Sequence, residues 1–460
     1  MAKTVNVKMW NKVIGYLHQK DKNAPISFVY EPSFVRSGIE ISPVFMPLSA
    51  RPYSFQNLNE ETYKGLAGTF ADSLPDDFGN LLIKSYMESK GKSLSDLGSL
   101  EKLCFTGNRG MGALEYVPQF FKDDNQPVKL SELVRLAGQI LTDREQLKLK
   151  DDENGLMKLL QISSSAGGAR AKALIAWNEQ LHDIRSGQVN AGEGYRYYLL
   201  KFDGISSTSD RKVFTPSPKE YTKIEQAYYL MARDSGITMN ECRLLESSGL
   251  HHFMTRRFDR TDDGKKIHMQ SLCGLAHMDF RKPRVYSYSD AAKVCRKIGL
   301  PQADIEQLYR RMVFNECAVN FDDHTKNISF LMDRNGTWHL SPAYDITFSY
   351  KEDSQWISAH QMLINGKSFN IEKADMLAEA KLMDISQNKA TEIIEEVLAN
   401  ISNWMYYADV THLSEQNAAG IKEKMQALSA TTAQYMKAIS LKEHPASEKT
   451  VSEKEPPHIK

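Results

Sequence analysis

Late in the chain, Asn320-Phe-Asp322-Asp323-His324-Thr325-Lys326-Asn327 gathers carboxylate, imidazole, ammonium and amide groups into eight positions. Asp322 and Asn327 stand five residues apart. Beyond them come Ile328-Ser-Phe-Leu-Met, a turn at Asp333-Arg-Asn-Gly336, Thr337-Trp-His-Leu, and then Tyr344-Asp345-Ile346. Apolar runs on either side of an Asp/Asn/Gly turn predict a hairpin, which returns Asp345 to the neighbourhood of Asn327. A carboxylate for an attacking hydroxyl, with an Asn and a second Asp as hard oxygen ligands for Mg²⁺, is the set that phosphoryl transfer requires. On this reading Asp322 orients and deprotonates the hydroxyl, while Asn327 and Asp345 hold the metal. Asp323 is the rival base, one residue short of the five-residue interval. Asp, His and Asn also cluster simply because they make turns; the hairpin and the closing Tyr-Asp raise the segment above a chance D-x-x-x-x-N.

Upstream, Ser163-Ser164-Ser165-Ala166-Gly167-Gly168-Ala169-Arg170-Ala171-Lys172 is a small-residue loop ending in a base. Its backbone N–H groups can approach phosphate oxygens closely, and Lys172 adds charge. The G-K-S/T ending of a Walker A loop is missing, so on its residues alone the segment also reads as a surface loop. Lys201 closes the strand-like run Tyr197-Tyr198-Leu199-Leu200-Lys201, and Glu225 lies on the helix that follows. A strand lysine that pairs with phosphates and is held by a helix glutamate is a recurrent kinase device. An ordinary strand-edge charge is the plain alternative.

These side chains need elements to hold them. From Val5 to Val117 short β-like runs dominate, among them Val13-Ile-Gly-Tyr-Leu17 and Ile26-Ser-Phe-Val-Tyr30. Gly107-Asn-Arg-Gly-Met-Gly112 lacks G-x-G-x-x-G spacing and reads as a glycine turn into Ala113-Leu-Glu-Tyr116. A charged helical stretch from Gln119 to Asn154 leads to a second strand-rich region, Lys158 to Arg260. One helix there, roughly Thr222 to Asp234, puts Ile224, Ala227, Tyr228, Met231 and Ala232 on one face. Helices dominate after Ser287, and the one opened by Pro301 lines up Ile305, Leu308, Met312 and Val319 before delivering the chain to Asp322.

A chain of 460 residues exceeds one compact core. Its 58 basic and 58 acidic side chains cancel, which argues against a protein whose main business is coating nucleic acid. Met1 to Asn11 carries no export signal, and no stretch approaches the ~18 apolar residues of a membrane helix. Five scattered cysteines without a C-x-x-C pair read as reduced, packed thiols and point to the cytoplasm. His251, His252, His268 and His277 lack partners at metal spacing and are assigned to structure or solvent. Tyr197, Tyr198, Tyr228 and Tyr229 read as packing aromatics.

Asp322-x-His324-x-Lys326-Asn327 with Pro342-x-Tyr344-Asp345 resembles the catalytic and metal-binding signature of the HipA-type kinases of bacterial toxin–antitoxin modules. Phe70-Ala-Asp-Ser-Leu-Pro-Asp76 with Gly79, Gly110-Met-Gly112-Ala-Leu114, Phe258-Asp259-Arg260 and Met362-Leu-Ile-Asn-Gly-Lys367 match in the same order, from about Val5 to the helices before Leu441. The resemblance implies a bilobal, protein-kinase-like α+β fold. An extra N-terminal β-rich subdomain would occupy 1–118, and connecting helices with the small lobe and a phosphate-covering loop 119–260. A helical large lobe with the catalytic loop would fill 261–440, and a disordered tail 441–460.

The resemblance also implies ATP and Mg²⁺ as cofactors, Asp322 as catalytic base, and Asn327 and Asp345 as metal ligands. Nucleotide contacts are expected from Gly167, Gly168, Ala169, Arg170, Ala171, Lys172, Lys201, Arg256, Arg257, Phe258, His324, Thr325, Lys326, Asn327, Tyr344 and Asp345. Ser165 aligns with a site of autophosphorylation, with Ser163 and Ser164 as alternatives. Arg256 stands where family members often carry an acidic residue, so adenine there would be read through backbone groups; Gln270 is a further candidate for that pocket. The implied activity is that of a serine/threonine protein kinase, its protein substrate by analogy an aminoacyl-tRNA synthetase. The implied partner is a HipB-like helix-turn-helix antitoxin, through which nucleic acid is reached only indirectly. Two other readings stay open. One is an antitoxin-binding scaffold and transcriptional co-regulator with weak or silent kinase activity. The other is a metal-assisted hydrolase on Asp322, His324 and Asp345, which lacks the ligand set of two-metal hydrolases.

Overall fold

The computed structural model describes residues 3–122, 125–142, 153–163, 171–203, 220–247 and 249–443. Strand β1 (Lys3–Met9) turns Val5, Val7 and Met9 inward and polar residues outward, the period of a sheet with one covered face. It pairs antiparallel with β2 (Lys12–Gln19) and β4 (Leu114–Val117), and β3 (Ser27–Tyr30) extends the sheet beyond β2. Between β3 and β4 the chain is largely helical, with longer helices at Asp77–Ser89 and Ser99–Thr106. The module expected to be β-rich is therefore mixed.

A second antiparallel sheet contains β5 (Lys172–Asn178), β6 (Asp183–Ser186), β7 (Arg196–Lys201), β8 (Cys242–Ser247) and β9 (Leu250–Arg256), in the order β6-β5-β7-β9-β8. On one face Ala173, Ile175, Tyr198, Leu200 and Met254 share a core with Leu82, Leu133, Leu136, Leu156 and Leu159. Those leucines come from the Asp77–Ser89, Leu130–Thr142 and Glu153–Ser163 helices. Each such side chain contributes about 1.5–3 kcal/mol on burial. Phe253, on the opposite pleat from Met254, meets Tyr229 of the Tyr221–Asp234 helix. Tyr197, Tyr198, Tyr228 and Tyr229 are all buried.

The third sheet, β10 (His268–Ser271), β11 (Ser329–Met332) and β12 (Trp338–Leu340), holds the expected hairpin, with Phe330 opposite Leu340. Asp333 closes its turn by accepting from the backbone N–H groups of Asn335 and Thr337. Helices follow to Glu443, two residues beyond the start of the expected tail at 441; residues 444–460 lie outside the described residues.

The helix after Pro301 runs Gln302–Cys317. Val319, expected on its apolar stripe, instead sits past its end with φ +58°, a conformation that costs a β-branched residue about 1–3 kcal/mol. The turn is held from both sides: Asn320 N–H donates to the Asn315 carbonyl at 2.8 Å, and Ser349 N–H to that of Val319 at 3.0 Å. It redirects the chain so that Asp322 leaves the helix bundle and faces the cleft.

The N-terminal module is fastened to the sheets by a buried polar hub. The Asp259 carboxylate accepts from Arg257 at 2.7 and 2.8 Å, from Arg260 at 2.8 Å and from the Gly112 N–H at 2.7 Å. Burial pushes this carboxyl up, but Arg257 and Arg260 outweigh it and hold the group well below the usual carboxylate range. Gly112 (φ +73°) must be glycine, because a Cβ there would lie 2.8 Å from the Met269 backbone nitrogen.

Candidate active site

Lys201 is the last residue of β7, flanked across the sheet by Lys172 of β5 and Phe253 of β9. The Tyr221–Asp234 helix turns Ile224, Ala227, Tyr228 and Met231 into the core, and the same packing buries Glu225 beneath Lys201. The Lys201 ammonium bonds Glu225 Oε1 at 2.5 Å and also pairs with Asp345. Asp345 arrives from the large lobe in a left-handed conformation, φ +53°. Burial alone would lower the Lys201 pKa; Asp345 and then Glu225 outweigh it and raise it. Burial likewise pushes Asp345 up, but Lys201 and then Lys172 bring it down to about 2. Both groups are charged at neutral pH. One lysine thus joins a small-lobe helix to a large-lobe carboxylate.

Across the cleft, Asn327 Nδ2 donates to the Asp322 carbonyl at 2.8 Å, which closes the loop between them. The two adjacent aspartates differ sharply. The Asp322 side chain is 44% exposed; among the described residues it accepts from Gln361 Nε2 at 2.7 Å, with His324 Nε2 3.9 Å away. The Asp323 side chain is 1% exposed. It accepts from the Tyr288 hydroxyl at 2.9 Å and the Gln361 backbone N–H at 2.7 Å, and lies 2.8 Å from His360 Nδ1. His360 Nε2 lies 2.9 Å from Glu316. Burial pushes the imidazole down, yet Asp323 and then Glu316 outweigh it and hold it up at about 10. A buried Glu316–His360⁺–Asp323 chain therefore supports the loop, and of the two aspartates Asp322 is the one open to solvent. A cavity beside the loop is lined by Asp322, Asn327, Tyr344 and Asp345.

The segment from Phe70 to Asp76 straps the N-terminal module to both sides of this cleft. Asp72 accepts from the Ser271 N–H at 2.7 Å and the Ser271 hydroxyl at 2.8 Å. Asp76 caps the Asp77–Ser89 helix by accepting from the Gly79 N–H at 2.6 Å, and lies 3.4 Å from the Lys172 ammonium. Both partners of that ion pair are buried.

A model of the HipA N-terminal domain matches residues 5–117, and one of the HipA-like C-terminal domain matches residues 164–405. The chain belongs to the HipA family. Its fold is similar to that of HipA from Shewanella oneidensis MR-1, solved with HipB and its operator DNA. That match has a TM-score of 0.66 at 15% identity and covers 94% of this chain and 99% of the other. The kinase-like α+β architecture is thus common to both. A curated Haemophilus influenzae protein named "Putative kinase" is 25% identical over 160 residues, 31% of this chain. The chain spans 46% of that relative's length.

Within this HipA fold the structure brings together Asp322, Asn327, Asp345, Lys201 and Glu225, and places Lys172 close enough to act on Asp345. Other residues expected at the nucleotide are engaged within the chain at the side-chain level. The Arg257 guanidinium is consumed by Asp259 and the Gly187 carbonyl, and that of Arg256 by Asp262. The Thr325 hydroxyl donates to the Met278 carbonyl and that of Tyr344 to the Lys326 carbonyl. Ala171 is fully buried. The polar side-chain groups at these positions are thus already partnered within the chain. Phe258 packs against Tyr344, ring centroids 5.6 Å apart, and His324 and Lys326 both lie on Phe280. Gln270 turns away into the N-terminal module, bonded to the Ile41 carbonyl and Thr69. Gly167, Gly168, Ala169, Arg170 and Ser165 lie outside the described residues. His252, His268 and His277 pack against Phe202, Trp338 and Phe45, and the five cysteines are buried and free. Among the described residues no helix is long and apolar enough to cross a membrane.

Sequence reading missed Gln361, His360, Glu316 and the Asp76–Lys172 pair. Their one signal was weak: Asp76 lies in the Phe70–Asp76 motif and Gln361 directly precedes Met362-Leu-Ile-Asn-Gly-Lys367.

Proposed function

We propose that this HipA-family chain is a kinase that transfers the γ-phosphate of ATP to a serine or threonine of a partner protein and to its own Ser165. The observation that carries this reading is Lys201, held between Glu225 of one lobe and Asp345 of the other, in the cleft that Asp322 faces. Lys201 would receive the α/β-phosphates, and release of Asp345 from Lys201 would free its carboxylate for a metal ion. Asn327 and Asp345 would hold Mg²⁺; their hard amide and carboxylate oxygens suit a cation that takes few protein ligands beside phosphates. Bound there, the metal neutralises phosphate charge. Asp322, oriented by Gln361 and open on one side, would accept the hydroxyl proton. The loop from Gly167 to Lys172 would cover the phosphates.

Calorimetry with ATP tests the metal assignment. Asp345→Ala should weaken Mg-ATP binding at least about tenfold, and Asn327→Ala should do so more mildly. An Mg²⁺ dependence unchanged in Asp345→Ala would remove the metal role.

The fold similarity to a HipA solved with HipB supports a HipB-like antitoxin as partner, with nucleic acid reached only through that complex. If the chain is chiefly an antitoxin-binding scaffold, Asp322→Gln should leave both antitoxin binding and the cellular phenotype intact. A kinase loses the phenotype and keeps the binding.

A further inference from the structure

We propose that Gln361 is a positioning residue for Asp322, an inference that rests on the kinase reading above. Gln361 is 4% exposed and touches three parts of the site at once. Its backbone N–H donates to Asp323 at 2.7 Å, its carbonyl accepts from the Arg284 N–H at 2.7 Å, and its side-chain Nε2 donates to Asp322 Oδ1 at 2.7 Å. A carboxylate oxygen only accepts, so the amide must present its nitrogen to Asp322. That leaves Gln361 Oε1 buried and without a hydrogen-bond partner among the described residues.

Burying a carbonyl oxygen without a donor is unfavourable. An apolar side chain of the same length would avoid that cost while keeping both backbone bonds. The amide therefore opposes stability and is explained by the one bond it makes. That bond ties down one oxygen of an otherwise half-open carboxylate, fixes its rotation, and leaves the second oxygen for the substrate hydroxyl. Such restraint matters because a base displaced by an ångström loses much of its effect.

Two variants test the role. Gln361→Met removes the amide, donor and acceptor alike, and keeps both backbone bonds. Its kcat for ADP formation and serine labelling should fall about 10- to 100-fold, with KM for ATP within about twofold of wild type and an unfolding midpoint unchanged or higher. Gln361→Glu places a second carboxylate against Asp322, so the pair must share a proton, and the acidic limb of the kcat–pH profile should move up by about one unit. Wild-type kcat in Gln361→Met overturns the positioning role and leaves the kinase reading standing. So does a loss that follows a lowered unfolding midpoint while the Gln361→Glu profile stays put. A wild-type protein that transfers no phosphate overturns both.

Discussion

Because Asp322 is half open to the cleft and Asp323 is sealed beneath it, replacing each has a different consequence. Asp322→Gln should cut phosphoryl transfer about 100- to 10,000-fold with an unfolding midpoint close to wild type. Asp323→Ala should cost roughly 3–5 kcal/mol in urea unfolding, since it leaves His360 charged, buried and short of a partner. Loss of activity with normal stability at Asp323 would exchange the two roles. The Glu316–His360–Asp323 chain also makes stability depend on pH. The folded pKa of His360, about 10, lies above its ordinary 6.5, so its contribution is full below about pH 6.5 and is lost as pH rises through 10. The stability gap between wild type and His360→Gln should therefore shrink from pH 7 to pH 10; a constant gap would show that the histidine is neutral. The Asp322–Asn327 interval was readable in sequence because both residues belong to one loop. Which aspartate is sealed was not, because Tyr288, His360 and Gln361 reach it from distant segments.

At the scale of elements, local pattern predicted what local physics decides. The hairpin of β11 and β12 and the Tyr221–Asp234 helix follow from turn chemistry and apolar period; the Lys201–Glu225 pair was suggested only by analogy with a recurrent kinase device. Val319 shows where pattern stops: it continues the helical stripe, yet the helix ends at Cys317 because the Asn315 carbonyl takes the Asn320 N–H. The Asp76–Lys172 pair, joining a helix cap to the first residue of β5, was invisible for the same reason as the Glu316–His360–Asp323 chain. It is a buried ion pair, so removing one partner should cost far more than removing both. Asp76→Ala should destabilise by roughly 3 kcal/mol. Adding Lys172→Met should recover most of this except the ~1 kcal/mol of the lost cap. Additive losses in urea unfolding would show the pair to be uncoupled.

At the scale of the whole molecule, the N-terminal module is part of the framework around the candidate site. Asp72 and Asp76 reach opposite sides of the cleft, and Gly112 joins the Asp259 hub. Asp259→Ala strands two buried guanidinium groups and should cost roughly 3–5 kcal/mol, with ATP affinity falling alongside stability; unchanged unfolding would make the hub dispensable. The family and the α+β fold were legible because ordered motifs run along nearly the whole chain. The strapping was not, since its contacts link residues far apart in sequence. The claim of phosphoryl transfer is tested most directly by incubating the purified chain with γ-labelled ATP, Mg²⁺ and host proteins, beside Asp322→Gln. We predict Mg²⁺-dependent label on serine or threonine, including Ser165, with wild type, and a labelling rate at least about 100-fold lower with the variant although it still binds ATP. Equal labelling by the two proteins, or no labelling by wild type, would contradict the account.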